Sequence, residues 1–452
     1  MAPTELGTER IPKLLKQYAL PAIIAMTASS LYNMVDSIFI GRGVGAMAIS
    51  GLAVTFPLMN LSTAFGTLVG VGAATLISML LGQKNYKMAN RVLGNVVMLN
   101  IAIGVIFSLL ALLFLNPILY FFGASDVTIS YAREYMTIIL LGNIITHLYF
   151  GLNGVIRAAG HPRQAMAATI LTVALNTVLD PIFIFVLDMG IKGAAIATVL
   201  AQTVSLIWVL KIFSNKDELL HFSREVFRFD MKIAGRSLAI GLAPFLMNVA
   251  SCFVVIFINN QLKRHGGDIA IGAYGIINRI IFLFIMINMG FNQGMQPIAG
   301  YNFGAQQYDR VKQVLRLTIV CASCCTTAAF LVGQLCPQLM VSLFTSDPEL
   351  SAQATHAFRI IISAFPIVGF QIVTANFFQS IGYANKSIFL SLSRQLLFLI
   401  PFLAIFPIFW ECDGVWWSMP AADVLSTIVA FVLLRRLMKT FGTEKMETKV
   451  IE

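Results

Sequence analysis

The sequence predicts an all-α membrane protein of twelve transmembrane helices arranged as two pseudo-symmetric six-helix bundles. A composition too apolar to be wetted, basic residues that alternate between two sides, and an internal repeat carry that prediction. Hydrophobic residues make up 58% of the 452 and charged residues 12%. Polar groups that scarce cannot cover a water-facing surface, so most side chains must meet lipid or each other. A helix needs ~20 apolar residues to cross a hydrocarbon core of ~30 Å. Val92–Leu115, Ala165–Leu187 and Phe389–Trp410 meet that length with few charges. Apolar runs bounded by charged or Gly/Pro/Asn residues predict spans near 15–40, 51–81, 92–120, 131–156, 165–187 and 193–213 in the first half. In the second half they fall near 237–260, 271–302, 317–344, 353–380, 387–410 and 417–438.

The net charge of +10 does not describe a nucleic-acid surface, because the basic residues form no single patch interleaved with aromatics. They follow membrane sidedness instead. Arg10, Lys13 and Lys16, then Lys84, Lys87 and Arg91, then Arg157 and Arg163 all fall on one side, as do six residues between Lys211 and Arg236. The opposite connections hold only Arg42, Arg133, Lys192, Lys263 and Arg264. By the positive-inside rule both termini are cytoplasmic. The N-terminal region reads as no cleavable signal, since Pro3–Arg10 is mostly polar and the next apolar run is long enough to span.

The halves repeat. One offset of 222 residues lays Ala48-Ile49 on Ala270-Ile271, Gly72 on Gly294, Gly82 on Gly304, Tyr86 on Tyr308 and Gly160 on Gly382. With six spans each, both halves enter and leave on the same side, so their pseudo-symmetry axis runs along the membrane normal and a cavity can form between bundles. This is transporter architecture. The predicted domains are 1–213, a cytoplasmic linker 214–236 and 237–452 with its tail.

Acids inside the membrane are costly, and so are usually functional or paired. Asp36, Asp180 and Asp423 lie within predicted spans. Asp36 follows Ser29, Tyr32 and Asn33 at helical spacing, which makes one polar stripe on the first span. Asn176 and Asp180 are four apart and share a face, and Pro181 leaves the Thr177 carbonyl without its helical donor. Counted from the outer ends, Asp36, Asp180 and Thr198 lie at similar depth on three helices, so they can converge. Their oxygens suit Na⁺, and close carboxylates equally suit an exchangeable proton; the residues do not choose between the two. The plainer alternative is that these acids only hold helices together. At offset 222 the partners of Asp36, Asn176 and Asp180 are Ile258, Phe398 and Phe402, so any coupling site belongs to the first half alone.

Other polar positions are weaker candidates for a substrate cavity. Arg394, beside Ser393 and Gln395, needs a partner or an aqueous cavity. Asp423 matches Gln202 at an offset of 221, and capping after Pro420 explains it as well as a substrate role does. Asn278, Gln293 and Gln296 give the eighth span a polar face. Cys321, Cys324 and Cys325 read as packing residues rather than ligands, with no His or acid near them in sequence.

The chain resembles the multidrug and toxic compound extrusion (MATE) transporters over about residues 10–440, in the branch of the DinF-like and MepA-like proteins. The resemblance rests on Val35-Asp36-Ser37-Ile38-Phe39-Ile40-Gly41, Gly82-Gln83-Lys84, Arg157-Ala158-Ala159-Gly160-His161-Pro162 and Asn176-Thr177-Val178-Leu179-Asp180-Pro181. It continues through Gly193-Ala194-Ala195-Ile196-Ala197-Thr198, Gln296-Pro297 and Tyr301-Asn302-Phe303-Gly304-Ala305. It implies export of lipophilic cations or zwitterions in exchange for Na⁺ or H⁺, with no cofactor and no nucleic-acid partner. A monomer among the lipids of a bacterial plasma membrane is the expected setting. The family's coupling ligands match Asp36, Asn176, Asp180 and Thr198, where Na⁺ is one candidate occupant, with Tyr135 and Asn153 nearby. A lipid-linked precursor flippase of the same superfamily is the alternative, and would call for a strongly cationic cavity. An enzyme is not expected: His147 and His356 have no acids nearby, and no catalytic constellation is visible.

Overall fold

The computed structural model describes residues 3–223 and 226–441. Among them the chain is helical nearly throughout, with no strand, as lipid demands of a backbone that must satisfy its own hydrogen bonds. The first half runs α1 (Ile11–Gly43), α2 (Ala46–Gly82), α3 (Tyr86–Leu113), a short α4 (Leu115–Phe121), α5 (Ile129–Leu141), α6 (Asn143–Ala158), α7 (Pro162–Pro181), a π turn (Ile182–Val186) and α8 (Gly190–Phe213). The second half runs α9 (Met231–Gly304), α10 (Tyr308–Leu335), α11 (Pro337–Ser342), α12 (Pro348–Ile361), a 3-10 turn (Ile362–Ala364), α13 (Phe365–Ser380), α14 (Ala384–Leu392), a second π turn (Ser393–Leu399) and α15 (Ile400–Thr440).

Eight helical stretches are long and apolar enough to cross a membrane among the described residues, and α5 with α6, bent by 57°, makes a ninth. The expected fourth span over 131–156 falls on this pair; its bend lies at Gly142, whose missing Cβ lets Val199 of α8 press against the backbone. The expected ninth span over 317–344 also divides, because Pro337 ends the hydrogen-bond ladder of α10 and opens α11 at its first position. Two stretches are too long for one crossing. At 74 residues α9 would measure ~110 Å if straight. It breaks at Gly267, where φ is 68°, a conformation open to glycine and costly to other residues. The corresponding break in α15 falls at Trp410 and Glu411, and Glu411 takes φ 48°.

The chain forms two compact units. The first comprises the Pro3–Gly7 turn and Ile24–Phe245; the second comprises Glu9–Ile23 and the chain from Leu246 onward. Both crossover points fall within the opening helix of a half, and Ile24 and Leu246 stand 222 residues apart, the repeat offset found in the sequence. Each unit is thus completed by the first turns of the other half's leading helix. Glycines make room for these turns. In the first unit Gly72 of α2 meets the Ser237 carbonyl and Gly241 meets the Leu68 carbonyl. In the second, Gly290 and Gly294 of α9 meet Ile23 and Ala19 of α1.

A Cβ at Gly72 would overlap the Ser237 carbonyl, whereas one at Gly235, two residues away from Ser237, meets nothing within 4 Å. Gly72→Val is therefore expected to cost at least ~1–3 kcal/mol through overpacking. It should sharply reduce the monodisperse fraction on size-exclusion chromatography in detergent. Gly235→Ala should leave that fraction unchanged, and equal behaviour of the two would remove the argument.

Candidate functional site

Asp180 lies in the last turn of α7, and the residue after it is the proline that ends the regular ladder. Pro181 cannot donate to the carbonyl one turn back, and the chain passes through the π turn Ile182–Val186 before reversing into α8. Gly193 of α8 packs against the Phe183 backbone, where a side chain would not fit. The tight hairpin sets Asn176 and Asp180 of α7 against Thr198 of α8. Asn176 Nδ2 donates to Asp180 Oδ1 at 2.7 Å. Thr198 Oγ1 reaches Asn176 Oδ1 at 3.3 Å and also donates to the Ala194 carbonyl at 3.0 Å. Asp180 and Asn176 are sealed from solvent.

The opposite wall is α1. Its Asp36 carboxyl is buried and stands within side-chain contact of Asp180. The phenols of Tyr32 on α1 and Tyr135 on α5 both approach the Thr198 hydroxyl and lie in the field of the two carboxyls. Asp36 Oδ1 and Asp180 Oδ2 are fully buried and have no donor among the described residues. Two carboxyls this close, with the Asn176 amide donating to Asp180 alone, leave lone pairs that a proton or a hard cation must satisfy. Around them Ile40, Tyr135, Ile139, Ile184 and Ala194 belong to one buried apolar cluster, which excludes competing water. The side chain of Asn33, from the same predicted stripe, lies outside the described residues.

With this geometry in view, comparison with known proteins identifies the family. The MatE family model matches residues 21–182 and 239–405. The chain belongs to the MatE family. Among relatives, the multidrug export protein MepA of Staphylococcus haemolyticus (strain JCSC1435) is 27% identical over 440 residues, covering 97% of each chain. MepA of Staphylococcus aureus (strain MSSA476) is 28% identical over 439 residues, covering 96% of each. Among solved structures, the MATE multidrug transporter DinF-BH superposes with a TM-score of 0.89 at 37% identity, over 97% of this chain and 98% of that one. MatE proteins are carriers, so this one is a multi-pass membrane transporter of small molecules and not an enzyme.

The remaining predicted residues do not join the acidic cluster. Gln202 of α8 accepts from Thr146 of α6 at 2.5 Å. Asn153 donates to the Ala165 carbonyl at 3.0 Å and accepts from Arg157 at 2.8 Å, so it ties α6 to α7 near their junction. Asn278, Gln293 and Gln296 lie on α9 in the second unit, Asn278 exposed. Also in that unit, Arg394 Nε donates to Asp423 Oδ1 at 2.5 Å. Asp423 sits inside α15 rather than at a helix start, which overturns the capping alternative; Pro420 is accommodated within the helix.

Two further sites differ from expectation. His356 Nε2 lies 3.0 Å from Asp413 Oδ1, 57 residues away in sequence, so the expectation that it lacks a nearby acid is wrong. This pair is exposed and contributes little to stability. The polar node Ser62, Asn143 and His147 is not visible in the sequence. Ser62 Oγ donates to Asn143 Oδ1 at 2.5 Å and stands 3.3 Å from His147 Nε2, all three buried between α2 and α6. Spacing on one helix cannot show a cluster built from two.

Asn176 supplies the one donor that reaches the acid pair from a side-chain amide among the described residues. Asn176→Ala leaves Asp180 Oδ1 without it, at an expected cost of about 1–3 kcal/mol for a buried unsatisfied group. Thermal unfolding in detergent should show a lowered midpoint, and added Na⁺ or acid should restore part of the loss. A midpoint equal to that of the unaltered protein would count against a strained acid pair.

Proposed function

We propose that this protein exports lipophilic cations and zwitterions across a bacterial plasma membrane, driven by inward exchange of Na⁺ or H⁺ at Asp36, Asn176, Asp180 and Thr198. The observation that carries the reading is a buried pair of carboxyls in a MatE chain, each with one oxygen that has no donor among the described residues. Two negative charges in a dry site are unstable together, so the pair should be held by an ion, a proton or the charge of a substrate. Competition among these occupants links one flux to the other. Relatives described as multidrug export proteins support the substrate class. Na⁺ is favoured slightly, on the neutral oxygens of Asn176, Thr198 and the two tyrosines beside the acids. Tyr32, Asn33, Tyr135, Asn153, Gln202, Asn278, Gln293 and Gln296 are proposed to line the path of the exported compound.

The proposed topology is twelve crossings with both termini cytoplasmic. Counting α9 and the α14–α15 stretch twice each at their breaks, α5–α6 once and α1 once reaches that number. The break at Gly267 and the break at Trp410-Glu411 then both lie outside. Cysteine labels at Lys216 or Lys312 should react only from the cytoplasm, and labels at Asp188 or Glu349 only from the exterior. The reverse pattern would invert the assignment.

Asp36→Asn and Asp180→Asn each keep size and remove a charge. In proteoliposomes with imposed Na⁺ or pH gradients, each should abolish gradient-driven efflux while the protein still inserts. The double variant should be little worse than either single one, since both disable one site. Protons should weaken Na⁺ retention at this site, so Na⁺ binding should fall as pH falls. Full gradient-dependent efflux by both single variants would return these acids to a purely structural role.

A further inference from the structure

The second unit contains a cation whose bonding is incomplete. Arg394 lies in the π turn Ser393–Leu399, ten residues after the start of α14 at Ala384 and sixteen before the break at Trp410. At 1.5 Å per residue this is about 15 Å and about 24 Å of helix, too far from either end for the side chain to reach headgroups easily. Its neighbours hold the turn in place. Gln395 Nε2 donates to Ser251 Oγ of α9 at 3.3 Å, and Ser393 Oγ donates to the Leu390 carbonyl at 3.1 Å. Tyr274 of α9 lies near enough for its phenol and the guanidinium to interact electrostatically.

A guanidinium carries five N–H donors in a planar fork. Here Nε is committed to Asp423 Oδ1, and neither Nη nitrogen has an acceptor among the described residues. Neither Nη atom is sealed inside protein, and the side chain keeps 30% of its surface, while Asp423 keeps 5%. Asp423 therefore neutralises the cation at Nε and leaves both Nη nitrogens unspent among the described residues, on a side chain that is not sealed inside protein. Hydrocarbon cannot accept these protons, so at this depth they call for a planar oxyanion. Lone π turns of this kind are frequent at functional sites.

We propose that the Nη edge of Arg394 is a binding site for the carboxylate of zwitterionic amphiphiles, distinct from the Asp36–Asp180 site. Purely cationic compounds do not use it. The assignment rests on the export reading only in its choice of compounds, because binding is measured apart from transport.

The experiment uses the purified full-length chain in detergent and two probes, a piperazinyl fluoroquinolone and its ethyl ester, which differ only in the carboxylate. The unaltered protein should bind the acid about tenfold more tightly than the ester, as for a bidentate charge-assisted pair. Arg394→Lys keeps a charge opposite Asp423 but loses the fork, and should retain only a small part of that preference. Arg394→Gln combined with Asp423→Asn removes both charges together, so no buried charge is orphaned; it should abolish the preference and leave ester affinity within about twofold. Equal affinities in the unaltered protein, or a preference surviving the double change, would overturn the proposal. So would displacement of the acid's advantage by phosphatidylglycerol, which would assign the fork to a lipid headgroup. If binding behaves as expected but neither probe is exported under any gradient, the export reading fails and this site stands.

Discussion

Asp36 and Asp180 are held together, away from water, by three helices whose own backbones can offer them almost nothing. An α-helix spends its amide hydrogens on its own carbonyls, so a carboxyl within a bundle depends on side chains or on a mobile ion. Asn176 satisfies one Asp180 oxygen, while Asp36 Oδ1 and Asp180 Oδ2 go without a donor among the described residues. Much of the surrounding local structure serves this arrangement. Pro181 ends α7 where the acid is needed, the π turn reverses the chain, and Gly193 allows α8 to close on the Phe183 backbone so that Thr198 comes into range.

The second unit treats its intramembrane charge differently. Asp423 meets Arg394, and the two charges cancel within one hydrogen bond. Removing one partner of a buried pair costs roughly 3–5 kcal/mol, so this pair resists change by single substitutions. An unneutralised pair of acids is poised for exchange, whereas a neutralised acid and base is stable and selective through whatever donors remain. The two sites suit different tasks for that reason.

The repeat gives both units a common frame without giving them common chemistry. Crossover into the opposite unit occurs at Ile24 and at Leu246, one repeat apart, and glycines accommodate the crossing turns in both. The repeat equivalents of Asp36 and Asp180 are Ile258 and Phe402, and Ile258 is fully packed in the apolar core of the second unit. Backbone geometry that depends on small residues is kept in both halves, while the acid pair belongs to the first half alone.

Composition, hydropathy and repeat sufficed to determine a helical membrane protein, because lipid leaves a chain this apolar few other ways to satisfy its backbone. Spacing also put Asn176 and Asp180 on one face, since four residues is close to one helical turn. Sequence could not decide which faces meet. The contact between Asp36 and Asp180 spans 144 positions, that between Arg394 and Asp423 spans 29, and the Ser62–His147 node spans 85. Each depends on helix rotation and tilt, set by packing of many apolar side chains and not by any local motif. The same holds for the free edge of Arg394. Its identity as an intramembrane cation was legible in the sequence, but which of its donors remained unspent was decided only when α15 brought Asp423 to its Nε.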